Sequence, residues 1–211
     1  RIDYPFINCT NCGPRFTIVE KLPYDRPLTS MKKFKMCPDC LREYENPEDR
    51  RFHAQPNACP VCGPHLSASR PDNDKAALDE AAQTIISGEI AALQSLGGFH
   101  LACDACNARA VAKLRASKRR PHKPLAVMTS DISEAAKLCH ISAHERELLL
   151  SAAAPIVMLE KKDFKAVTLA APELSRLGVM IAYTPLHLAF FKTLRERGFR
   201  NPLIKIGRAH V

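Results

Sequence analysis

Cys37-Pro38-Asp39-Cys40 and Cys59-Pro60-Val61-Cys62 decide how the first third of the chain folds. Eighteen residues separate the two C-x-x-C pairs, a spacing that reads as a zinc site. Four thiolates at two knuckles close a tetrahedron around Zn2+, because each two-residue gap lets both sulfurs of a pair point inward. Gly63, directly after Cys62, is expected to permit the tight turn this needs. The other readings of such pairs are a disulfide and a thioredoxin-type redox motif. The redox motif requires a strand followed by a helix, a pattern that surrounds neither pair. His53 and His65 stand beside a complete cysteine set and are read as its neighbours rather than its ligands.

Outward from these pairs toward the N-terminus, residues 1–14 realign on residues 51–64 at an offset of fifty. Arg1 falls on Arg51, Cys9 on Cys59, Cys12 on Cys62, and Gly13-Pro14 on Gly63-Pro64. Cys9 and Cys12 then read as the second knuckle of another zinc module, whose first knuckle precedes residue 1. The alternative is a crossed site in which Cys9 and Cys12 join Cys37 and Cys40. The intervening stretches Leu22-Pro23-Tyr24-Asp25-Arg26-Pro27 and Asn46-Pro47-Glu48-Asp49-Arg50-Arg51 carry few aliphatic side chains. Such a segment cannot bury enough apolar surface to fold alone, so metal binding, worth roughly 10 to 16 kcal/mol at a structural zinc, is expected to supply the folding free energy.

Toward the C-terminus the pattern changes. Residues 67–74 are polar and read as a linker, and residues 75–205 alternate helices with aliphatic strands, which predicts an α/β domain with a mixed sheet covered by helices. Asp74 is expected to cap a helix that Gly88 ends, and residues 89–95 read as a short strand. Leu96-Gly97-Gly98-Phe99-His100 reads as a loop and Asn107 to Ala116 as a helix. A strand at 125–128 leads to a helix at 132–138 behind the cap Asp131. The capping box Ser142-x-x-Glu145 starts another helix. A continuously apolar strand at 155–159, a strand at 178–183 and a helix from Thr184-Pro185 to Arg197 complete the pattern. Cys103, Cys106 and Cys139 lie among these aliphatic segments and read as structural thiols.

The net charge of +9 suits an anionic partner, whether a nucleotide phosphate or a nucleic acid, without choosing between them. No apolar run approaches 18 residues and no signal peptide is evident. Together with unpaired structural cysteines this predicts a cytoplasmic protein with no membrane partner. The densest charge lies in Ser117-Lys118-Arg119-Arg120-Pro121-His122-Lys123-Pro124. It reads either as a solvated basic loop or as a phosphate clamp, with Lys as point charge and Arg as bidentate fork on a loop stiffened by two prolines. A Walker-type Gly-Lys-Ser is absent, so a nucleotide site here is not a P-loop. His100 and the Gly97-Gly98 turn are expected to line the same cavity as the basic loop.

The order of these phrases carries a resemblance. Asn8-Cys9-Thr10-Asn11-Cys12-Gly13-Pro14-Arg15-Phe16-Thr17, Leu22-Pro23-Tyr24-Asp25-Arg26-Pro27, Asp49-Arg50-Arg51-Phe52-His53-Ala54-Gln55-Pro56 and Leu96-Gly97-Gly98-Phe99-His100-Leu101-Ala102-Cys103-Asp104 resemble the HypF carbamoyltransferase family of nickel–iron hydrogenase maturation. Lys118-x-Arg120, followed by Lys123-Pro124-Leu125-Ala126-Val127-Met128, resembles the K-x-R element of its YrdC-like domain. The resemblance implies a small four-cysteine zinc-ribbon-like module over 1–66, with the second half of one finger and a complete second finger. A YrdC-like nucleotide-binding α/β domain over 75–205 would follow, the whole truncated at both ends. It implies structural Zn2+ at Cys37, Cys40, Cys59 and Cys62, with Cys9 and Cys12 belonging to the incomplete finger. By the resemblance Lys118 and Arg120 would bind the phosphates of ATP, with Mg2+ expected beside it, and Lys123 and His100 are read from the loop and turn themselves as further nucleotide-binding residues.

In such a family carbamoyl phosphate yields carbamate, which ATP activates as carbamoyl-AMP, and the carbamoyl group passes to the C-terminal cysteine of HypE. A zinc-ribbon plus YrdC-like RNA-binding module is the alternative. The family's S-x-N element, expected soon after Ile204, does not occur, and residues 206–211 read as a non-native tail.

Overall fold

The computed structural model describes residues 3–9, 16–69, 73–95, 98–163 and 165–207. The chain divides into two compact units, residues 1–77 and 78–211.

The first unit has little regular structure. Three short 3-10 turns, Phe16–Ile18, Arg26–Leu28 and Ser30–Lys33, precede α1, Pro38–Glu45. Pro38 occupies the first turn of α1 and Cys37 its N-cap, so Cys40 sits on the first turn. The sequence pattern did not place α1, because a helix of eight residues is shorter than the window over which apolar periodicity is read. The unit's apolar centre is small: Tyr4, Ile18, Met31 and Ala58, with Phe6, Ile7, Tyr24 and Phe34 against them.

Buried polar groups complete the unit. Arg26, only 8% exposed, donates from its backbone N–H to Gln55 Oε1 (2.7 Å). Its guanidinium donates to the carbonyls of Gln55 (2.7 Å), Asn57 (2.8 Å) and Phe34 (2.7 Å). Gly63 is needed for a different reason from the turn expected of it. Its φ is not positive, but an added Cβ would lie 2.1 Å from the Tyr4 hydroxyl and 2.7 Å from the Ala58 Cβ.

The second unit is the expected α/β domain. Its seven strands are β1 Ala91–Ser95, β2 Gly98–Asp104, β3 Val127–Thr129, β4 Cys139–His140, β5 Val157–Lys161, β6 Arg176–Ile181 and β7 Leu203–Gly207. They form one mixed sheet in the order β1-β2-β7-β3-β6-β5-β4, parallel at β3–β6 and antiparallel elsewhere. The helices are α2 Asp74–Ile86, α3 Ala108–Ser117, α4 Ile132–Leu138, α5 Ala143–Leu150, α6 Lys165–Ala170 and α7 Pro185–Glu196. One sheet face, with Cys103, Val127, Val157, Leu159, Leu177, Val179, Ile204 and Ile206, packs with α3, α4, α5 and α6 through Val111, Leu114, Leu138, Leu149 and Ala170. Strand alternation turns the buried His100, Ala102, Met128, Met180 and Leu203 to the opposite face, where His187 of α7 meets His100.

Where the sequence carried caps, the boundaries agree. Asp131 accepts from the N–H groups of Ser133 and Glu134, Ser142 and Glu145 form a reciprocal capping box, and Thr184 accepts from the N–H of His187. Four expectations change. The N-cap of α2 is Asn73, whose side chain accepts from the Ala76 N–H, whereas Asp74 accepts from the Leu66 N–H and pairs with His65 at 3.2 Å. The stretch read as a loop around His100 is largely strand: β2 starts at Gly98, which has φ +116, and residues 96–97 lie outside the described residues.

The third change concerns β5, which alternates buried and exposed residues, with Met158 45% exposed, because one face of this antiparallel part of the sheet stays open to solvent. The fourth is β7, a central strand with no counterpart in the sequence reading. Ile206 and Gly207 pair with Leu101 and His100, and residues 208–211 lie outside the described residues.

Candidate functional site

Cys37 at the N-cap of α1, Cys40 on its first turn, and Cys59 and Cys62 on the second knuckle bring their sulfurs within 4.8 Å of one another. The Sγ separations are 3.7 Å for Cys37–Cys59, 3.8 Å for Cys59–Cys62 and 3.5 Å for Cys40–Cys62. A regular tetrahedron with Zn–S bonds of about 2.3 Å has edges of about 3.8 Å, so the donor set fits Zn2+. The crossed arrangement is not what forms, because Cys37 and Cys40 close on Cys59 and Cys62. Cys9 is exposed, and Cys12 lies outside the described residues.

Burial raises the Cys59 thiol pKa, but hydrogen bonds outweigh it, from the Val61 N–H to the sulfur (3.4 Å) among others, and bring it down to about 7. Asn57 supports the opposite knuckle by donating to the Cys40 carbonyl (2.9 Å). Neither histidine joins the cysteines. His65 pairs with Asp74, and His53, with φ +50, stacks edge-on against Phe52.

The basic loop closes α3. Lys118 is its C-cap and Arg119 takes a left-handed φ of +48, a conformation usually left to glycine at this position. The Arg120 N–H returns to the Arg115 carbonyl at 3.0 Å. Lys118 and Arg120 are half-buried, while Lys123 is exposed. None of these three forms an ion pair with a described residue. A residue that the sequence did not single out organises the loop. The Arg115 guanidinium donates to the carbonyls of Arg120 (3.2 Å), Pro121 (3.3 Å) and Lys123 (2.8 Å), and also to those of Leu169 and Ala170 (3.0 Å each).

His100 is not brought to this loop. It is 4% exposed and its ring centroid lies 5.2 Å from that of His187, which is 1% exposed and 5.3 Å from Tyr183. Both histidines lie on the α7 side of the sheet, whereas α3, which carries the basic loop, packs on the other side. Among the described residues no hydrogen bond, ion pair or ring contact joins His100 to residues 118–123. Desolvation, then the charge of Lys205, pushes the His100 pKa down to about 4 and that of His187 to about 3, so both imidazoles are neutral at pH 7. The Nε2 of His100 and both ring nitrogens of His187 have no hydrogen-bond partner among the described residues. His187 lay hidden in sequence as one more residue of an amphipathic helix.

The comparisons with known proteins agree with this architecture. The HypF finger family matches residues 1–19 and again residues 36–68, and the telomere recombination family, which groups Sua5, YciO and YrdC, matches residues 83–204. Carbamoyltransferase HypF of Rhodobacter capsulatus is 51% identical over 189 residues, which is 89% of this chain and 25% of that protein. A crystal structure of full-length HypF in the phosphate- and nucleotide-bound form superposes with a TM-score of 0.86 at 46% identity, covering 97% of this chain and 27% of that one. That of T. kodakarensis HypF gives 0.90 at 43%, covering all of this chain and 28% of that one. The chain thus spans about a quarter of the length of the relatives it matches. With a finger match around the four-cysteine centre and a Sua5/YrdC-type match over most of the α/β unit, the chain belongs to the HypF carbamoyltransferase family.

Proposed function

We propose that this chain is the zinc-finger and nucleotide-activating part of a carbamoyltransferase that uses ATP with Mg2+ to convert carbamate, derived from carbamoyl phosphate, into carbamoyl-AMP. A carbamate oxygen bonds to the α-phosphorus as the bond to the β-bridging oxygen breaks, and pyrophosphate leaves. The acceptor of the carbamoyl group is the C-terminal cysteine of HypE, for the cyanide ligands of nickel–iron hydrogenase, and the setting is the cytoplasm. The observation that carries the reading is the basic loop, where Lys118, Arg120 and Lys123 have no ion-pair partner among the described residues, on a loop tied down by its carbonyls. Cations so placed suit a polyphosphate and the charge that develops in adenylation. The relative solved with phosphate and nucleotide bound supports the choice of ligand. His100, buried on the α7 side of the sheet, stands outside this clamp. Zinc at Cys37, Cys40, Cys59 and Cys62 is structural, since four thiolates leave no open coordination position for a substrate.

Isothermal titration of ATP–Mg2+ into the chain and into its Lys118→Ala/Arg120→Ala variant tests the clamp. Two lost charge-assisted contacts predict affinity weaker by about a hundredfold or more. Unchanged affinity removes the assignment. An RNA-binding role instead predicts nanomolar filter binding with a steep salt slope.

A further inference from the structure

We infer that Arg115 is the positioning residue of the basic loop, turning it inside out so that its carbonyls face the protein while its cations and the His122 N–H face a bound anion. The inference deepens the nucleotide reading of this loop and rests on it. Arg115 is on the last turn of α3 and has no carboxylate partner among the described residues. Its acceptors are five backbone carbonyls: three in the loop (Arg120, Pro121, Lys123) and two at the end of α6 (Leu169, Ala170).

In a planar trans peptide the C=O of one residue and the N–H of the next point in opposite directions. The Pro121 carbonyl accepts from Arg115, so the His122 N–H points away from it, outward. The two other inward carbonyls, of Arg120 and Lys123, each precede a proline, which has no N–H to leave stranded. The arrangement therefore exposes the His122 backbone donor beside three cationic side chains. Arg119, held at φ +48, bears the strain of reversing the chain out of α3, and the Leu125 N–H, bonded to the Ala170 carbonyl at 3.0 Å, closes the far end on the carbonyl that Arg115 also holds. A lysine could reach one or two of these oxygens but not hold five at once.

The test uses the whole chain and Arg115→Met, with Arg115→Lys beside it. Trypsin does not cut before proline, so the loop offers it two bonds, Lys118–Arg119 and Arg119–Arg120. The expected result is cleavage at these bonds faster by about tenfold or more in Arg115→Met, with sites elsewhere in the α/β unit unchanged and ATP affinity weaker by about tenfold or more. Arg115→Lys is expected to fall between, and added guanidinium ion to restore part of the affinity of Arg115→Met. Unchanged loop cleavage, or a uniform rise across the unit, overturns the inference, as does a loosened loop that binds ATP as tightly as before. If the unaltered chain binds no ATP, it is the nucleotide reading that fails, and the cleavage contrast still decides the role of Arg115.

Discussion

Two arginines, one in each unit, perform similar tasks in opposite surroundings. Arg26 is buried in the zinc module and ties three segments through the carbonyls of Phe34, Gln55 and Asn57. Arg115 sits at the rim of the α/β unit and ties one loop to the end of α6. The first unit has only a small apolar cluster around Tyr4, Ile18, Met31 and Ala58. The second has a continuous core running from α3 through the sheet to α5. Where apolar burial is scarce, a metal and a buried cation hold the chain. Where it is abundant, an arginine is left to shape a surface loop.

Removing the metal should break this comparison most plainly. Zinc supplies roughly 10 to 16 kcal/mol in modules of this kind, more than the whole stability of most domains. Chelation, or Cys40→Ser, is expected to abolish hydrogen-exchange protection in residues 16–69 while β2, β7 and α7 keep theirs. Mass analysis should find one zinc per chain, lost in Cys40→Ser. Loss of protection in the α/β unit as well would show that the units do not fold independently.

Arg26→Met sharpens the contrast on a smaller scale. It keeps the aliphatic stem but strands the carbonyls that the guanidinium satisfies, at about 1 to 3 kcal/mol for each group left unsatisfied. The measurement is the rate at which a chelator strips zinc, expected to rise by about a hundredfold or more on that estimate. Arg115→Met, by comparison, should leave that rate unchanged.

How much of this was legible in sequence follows the same division. Asp131, Ser142-x-x-Glu145 and Thr184-Pro185 placed α4, α5 and α7 to within a residue, because caps are local chemistry. The four-cysteine centre was legible from spacing alone, since the geometry of the ion dictates the interval. β2 was misread because Gly97-Gly98 resembles a turn, and the antiparallel pairing that makes Gly98 part of a strand is not local. The long-range struts were not legible. Arg26 in Asp25-Arg26-Pro27 and Arg115 in α3 look like ordinary surface cations until their carbonyl partners, up to 55 residues away, are known. His100 was noticed for the wrong company, since the sheet separates it from the basic loop and gives it His187 instead.

That histidine pair gives the expected effect that singles out the α/β unit. Both imidazoles are buried and held neutral, with pKa values of about 4 for His100 and about 3 for His187 against 6.5 for a free side chain. Above pH 6.5 neither the folded nor the unfolded chain protonates them, and they contribute nothing to the pH dependence. Below it the unfolded chain takes up protons that the folded unit refuses, so stability falls as pH drops toward the folded values. For His100 alone the span from 6.5 to about 4 corresponds to about 3 kcal/mol. Protons also compete for the zinc thiolates in this range, so global unfolding would mix the two units. Segment-resolved hydrogen exchange in β2 and α7 separates them, with protection expected to decline from pH 6.5 to pH 4. His187→Phe, similar in shape and without a titrating nitrogen, should flatten that decline while leaving the acid loss of zinc as it was. An imidazole that titrates near 6.5 in the folded chain would mean that water or a ligand reaches the pair, and the burial that holds both rings neutral would have to be given up.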